Sequence, residues 1–114
     1  MKPQMLIRVA DRFPFPAGRH RDDGPQSGEA FREDVLVPAL READVLVLDL
    51  DGIPGLPSSF LDEAFGGLVR INQFLSGELE RRLEFRVLTP RMRIYPEIIQ
   101  SKITGGRSPI PLNS

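Results

Sequence analysis

The chain reads as a single α/β domain in which a mixed, mostly parallel sheet of about four strands packs against helices. Three observations predict it. Apolar runs of strand length recur at 5–9 (MLIRV), 45–50 (VLVLDL) and 83–88 (LEFRVL). Between and after them lie segments with helical apolar spacing, at 29–42, 60–74 and 94–103. The connections are short, and alternating strands and helices imply right-handed crossovers between parallel strands. At 114 residues there is enough chain for one core and not for two.

The first strand, 5–9, alternates weakly. Pro14 and Pro16 stop its continuation, Phe13 and Phe15 are placed to cover one end of the core, and a hairpin partner near 17–21 is a candidate for an antiparallel edge. Residues 19–26 (RHRDDGPQ) are polar with Gly24 and Pro25, which predicts an exposed loop. Ser27 then opens a helix that puts Phe31, Val35, Leu36 and Leu40 on one side and Arg32, Glu33 and Asp34 elsewhere. Pro38 falls inside this pattern and predicts a kink or a division.

Residues 45–50 form the densest apolar run, expected to be a central strand buried on both faces. A turn rich in Gly and Pro (Gly52, Pro54, Gly55, Pro57) leads to Ser58 and Ser59, which mark a helix start. In that helix Phe60, Leu61, Ala64, Phe65, Leu68 and Val69 make an apolar stripe, with Asp62, Glu63, Gly66, Gly67 and Arg70 on or beside the other face. Ser59 and Asp62 have the spacing of a capping box. Gly77 reads as a stop, followed by a short helical turn at 78–83 and a further strand at 83–88. The last helix carries Ile94, Ile98, Ile99 and Lys102, with Pro96 in its first turn. The domain is thus expected over 1–104, and 105–114 (GGRSPIPLNS) has the composition of a flexible C-terminal tail.

Composition narrows the chemistry. Hydrophobic residues make up 40% and charged residues 27%, the ordinary balance of a globular chain. A net charge of -1 provides no general attraction to nucleic acid or anionic membrane. The absence of Cys excludes disulfides, thiol catalysis and cysteine-ligated metal, and His20 alone cannot build a multi-histidine zinc site. No apolar run approaches the ~20 residues of a membrane span. A cytoplasmic, bacterial-type protein without cofactor or metal is expected, and its oligomeric state is left open.

The central stretch resembles STAS domains, the sulfate-transporter and anti-sigma-factor-antagonist family. There a buried strand ends in Asp-Leu and a short loop leads to Asp-Ser-Ser-Gly-Leu opening a helix. Here Asp49-Leu50 is followed at the same spacing by Pro57-Ser58-Ser59-Phe60-Leu61. Pro57 stands in place of the acidic residue and Phe60 in place of the glycine. Closer still is a STAS-like family of unknown function with Ser-Phe-x-Asp-Glu and a following Phe-Gly. Ser59, Phe60, Asp62, Glu63, Phe65 and Gly66 match it, as does the upstream Phe31-Arg32. The match is good over 28–70.

The resemblance implies a STAS-like fold and a non-enzymatic regulatory module that binds a protein. In the antagonist branch a GHKL-type ATPase kinase phosphorylates the first of the two serines, which corresponds to Ser58. The switch candidates are then Ser58 and Ser59, and the partner-binding candidates Asp62, Glu63, Gly66, Gly67 and Arg70. The plain structural role for the serines is helix capping, worth ~1 kcal/mol. A phosphate at Ser58 would instead change the surface by about two charges beside free backbone N–H groups. The alternative is a small ligand-binding or catalytic domain using Asp49 and Asp51, since open α/β sheets hold ligands at the carboxyl ends of their strands. No catalytic residue is assigned, because no His, Cys or Lys lies near these groups in sequence.

Overall fold

The computed structural model describes residues 2–105, so the predicted tail, Gly105 apart, lies outside the described residues. In chain order the elements are β1 (Lys2–Arg8), one helical turn α1 (Val9–Arg12), a long helix α2 (28–42), β2 (Ala43–Asp49), a second long helix α3 (58–70), α4 (Ser76–Arg82), β3 (Leu83–Arg86) and α5 (Tyr95–Ile103). Short 3₁₀ turns at Arg21–Asp23 and Pro90–Met92 sit in the loops.

The sheet has three strands rather than about four, in the order β1-β2-β3, and every pairing is parallel. The stretch 17–21 is not a strand. Its backbone instead bonds along the start of α2, with the amides of Gly28 and Glu29 donating to the carbonyls of Gly18 and Arg19. Met5 and Ile7 stand beside Leu46 and Leu48, which stand beside Leu83 and Phe85, and this row faces the core.

The opposite face of the sheet is open, which corrects the expectation of a strand buried on both sides. Leu6, Val47 and Glu84 share one outward row; Leu6 is 48% exposed and Val47 half-buried. The reason is topological. Two successive right-handed crossovers that step the same way across a sheet put all their helices on one face.

Ser27 caps α2 as expected, its hydroxyl accepting from the Ala30 amide at 3.2 Å. Both long helices contain a π-turn, at Arg32–Leu36 in α2 and Asp62–Gly66 in α3. In α2 the π-turn ends just before Pro38, whose missing N–H and bulky ring would otherwise break the regular ladder. In α3 the cause is a side chain from α2: Arg32 Nη1 donates to the Glu63 carbonyl at 2.9 Å, and the Gly67 amide steps back to the Asp62 carbonyl. Phe31 anchors the interior, meeting Phe13 at 5.1 Å edge-on and Phe60 at 5.6 Å. Phe15, expected to share that task, is 67% exposed.

Candidate functional site

Helix α3 begins with Pro57, held extended at φ -60° and ψ 148°, and its first bond runs from the Leu61 amide to the Pro57 carbonyl. That start sets the positions of the serines. Ser58 is the first helical residue, exposed, and its hydroxyl lies 3.1 Å from the ammonium of Lys102 on α5. Ser59 is one step inside the helix and half-buried. The predicted capping box does not form, since Pro57 occupies the capping position and no side chain caps this helix.

The Asp62 carboxylate serves another purpose. It accepts from Arg19 Nη1 at 2.6 Å and lies 3.5 Å from Arg70 Nη1. The hydrogen bond from Arg19, and then the charges of Arg70 and Lys102, hold its pKa below the ordinary carboxylate value. Arg70 folds back over Gly66; a Cβ there would sit 2.5 Å from its Nη1. Beside these groups opens a cleft of about 280 Å³ lined by Asp62, Arg70, Ser101, Lys102 and Gly105.

The seven predicted switch and binding residues therefore divide. Ser58, Asp62 and Arg70 face this surface, Gly66 lies beneath the Arg70 guanidinium, and Ser59 is half-buried in the first turn. Glu63 and Gly67 point inward. Glu63 pairs with Arg32 at 2.8 Å, with side chains 7% and 2% exposed, and Gly67 leaves the room the Arg32 guanidinium occupies. Two cations that sequence reasoning did not assign, Arg19 and Lys102, complete the face. Lys102 had a signal, as a lysine on the apolar spacing of Ile94, Ile98 and Ile99. Arg19 had none, because only the folded loop carries it to Asp62.

Asp49 and Asp51 lie at the far end of β2 and brace the loop. Asp49 Oδ1 accepts from the Asp51 amide at 3.0 Å. Both Asp51 oxygens accept backbone amides, from Leu88 and Thr89, each at 2.9 Å. These bonds hold the Asp51 pKa below the ordinary value, Thr89 contributing most. Arg91 clasps the same loop from outside through the carbonyls of Ile53 and Pro54. Arg82 similarly ties the end of α2, donating to the carbonyls of Leu40, Ala43 and Asp44. His20 Nε2 lies 3.6 Å from Glu63 Oε1, and among the described residues no hydrogen bond joins it to either serine.

No helix among the described residues is long and apolar enough to cross a membrane. A family model described as STAS-like domain of unknown function (DUF4325) matches residues 27–91, more than half of the chain. No curated protein and no solved structure matches.

Proposed function

The chain belongs to the family of STAS-like domains of unknown function, and from that premise we propose that it is a non-enzymatic regulatory module whose binding of a protein partner is switched by phosphorylation of Ser58. The observation that carries this is the placement of Ser58. Its hydroxyl is exposed at the first turn of α3, on the surface where Arg19, Arg70 and Lys102 outnumber Asp62. A hydroxyl so placed is open to a kinase, and a cationic face suits an acidic partner surface. The partner is a GHKL-type ATPase, as in the antagonist branch. In the transfer step Ser58 Oγ forms a bond to the γ-phosphorus of ATP. The bond to the ADP oxygen breaks, and the hydroxyl proton passes to a base on the kinase.

Gly66 makes the docking face testable. A side chain there meets the mobile end of Arg70 and, at 3.3 Å, the Asp62 carboxylate Oδ1, side-chain atoms and not backbone, so Gly66→Arg is expected to fold while crowding the surface. The experiment is titration of the GHKL-type ATPases of the same cells with the native chain, Ser58→Asp and Gly66→Arg, alongside mass spectrometry of Ser58 in the native chain from those cells. Weaker binding by both variants and phosphate on Ser58 support the reading. Undiminished binding by folded Gly66→Arg, or Ser58 unmodified after incubation with the ATPase and ATP, overturns it.

A further inference from the structure

Lys102 stands apart from the other cations on this surface. Arg19 is engaged by Asp62 at 2.6 Å, and Arg70 is folded onto the Asp62 carboxylate and carbonyl. Among the described residues Lys102 hydrogen-bonds to Ser58 alone, across from α5 to α3. A lysine ammonium is a compact charge with three donors on a flexible four-carbon stem, able to follow an oxygen that moves by a bond length or two.

Resting on the reading of Ser58 as the phosphate acceptor, we infer that Lys102 is the residue that holds phosphorylated Ser58 within the same molecule. The geometry requires no new contact, only the strengthening of one already made. A neutral hydroxyl 3.1 Å from the ammonium becomes a group carrying about -1.5 to -2 charges with three acceptor oxygens. The regulatory consequence is competition. Lys102 faces an internal anion once Ser58 is modified and is withdrawn from an acidic partner. The switch thus removes a cation from the partner as well as adding repulsion.

The test installs phosphoserine at position 58 during synthesis of the full chain, in the native background and with Lys102→Gln or Lys102→Arg. The phosphate is titrated by ³¹P NMR. With Lys102 present its second pKa is expected below the ordinary value of about 6, and about half a unit or more below that of the Lys102→Gln protein, as a nearby cation favours the dianion. Lys102→Arg retains most of the shift. Phosphoserine at position 59 instead shows no dependence on residue 102. Equal titration of phosphorylated Ser58 with Lys and with Gln at 102, in proteins with matching unfolding midpoints, overturns the inference. Because the phosphate is installed without a kinase, this outcome is separate from any failure to find Ser58 modified in cells.

Discussion

Replacing Glu63 by Leu should be among the most damaging single changes in this domain, although Glu63 is a charged residue on a helix. The Arg32 side chain is 2% exposed, and its Nη1 donates both to the Glu63 carboxylate at 2.8 Å and to the Glu63 carbonyl at 2.9 Å. Its Nε is buried without a partner, and the next carboxylate, Glu33, is 3.7 Å from Nη2 and half in solvent. Glu63→Leu leaves the guanidinium with one carbonyl and no nearby buried countercharge. The cost of stranding a buried charge is about 3–5 kcal/mol. For a domain of total stability ~5–15 kcal/mol, that is about a fifth of the margin at the least and all of it at the most. In urea, with m of about 2 kcal/mol/M, the midpoint falls by roughly 2 M. The opposite single, Arg32→Met, costs less, because Glu63 keeps Arg19 at 3.9 Å and His20 at 3.6 Å. The double variant Arg32→Met/Glu63→Leu should recover most of the loss, since an apolar pair of similar volume needs no desolvation. Equilibrium urea unfolding of the four proteins gives the cycle. An unchanged midpoint for Glu63→Leu, or a double variant as unstable as the sum of the singles, refutes the reasoning.

Three further outcomes are expected. The glycines of the helix pair differ by what a methyl would meet: Gly28→Ala drives Cβ to 2.4 Å from the Phe60 carbonyl oxygen, backbone that cannot yield, and should cost ~1–3 kcal/mol or more in denaturant unfolding. Gly66→Ala meets only side-chain ends, those of Arg70 and Asp62, so it should be neutral or stabilising by up to ~1 kcal/mol through helix propensity. Phe65→Ala, at a ring 2% exposed and 6.3 Å from Phe31, should cost ~3–5 kcal/mol by the same measurement. The carboxyls of Asp51 and Asp62 should titrate below 3.8 in NMR-monitored acid titration. Since their folded pKa values are depressed, their contribution is present above about pH 4 and is lost as pH falls through the folded values. Arg19→Ala should raise the Asp62 midpoint and flatten that acid loss.

Much of the fold was legible in the order of residues because strands and helices are local patterns. The runs MLIRV, VLVLDL and LEFRVL each fall on a strand, at Lys2–Arg8, Ala43–Asp49 and Leu83–Arg86, the last ending two residues short of the run; Ser27 caps the helix it was expected to cap, and Pro96 lies in the first turn of the last helix. The short connections required parallel pairing, and the pairing is parallel. Ser58 before an amphipathic helix, and the Asp62, Gly66, Arg70 line along it, could be read from spacing alone.

What spacing could not show is which faces meet. Arg32 stands at helical intervals from Gly28, Val35, Leu36 and Ala39, and Glu63 from Phe60 and Gly67. An opposite charge on each of two apolar stripes was the available sign of an internal pair, but it has meaning only when the stripes are known to face each other. Their meeting alters local structure in turn: Arg32 takes the Glu63 carbonyl and widens α3 into a π-turn, so a tertiary contact decides a backbone hydrogen bond. The open face of the sheet follows from the direction of two crossovers, a property of the whole path with no residue to mark it. The candidate site divides the same way. A serine at a helix start is a one-dimensional fact; the lysine 3.1 Å away, on a helix that begins 37 positions later in the chain, is not. Sequence sets the periodicity that each element must satisfy, and only closure of the core determines which side chains from distant elements share a surface.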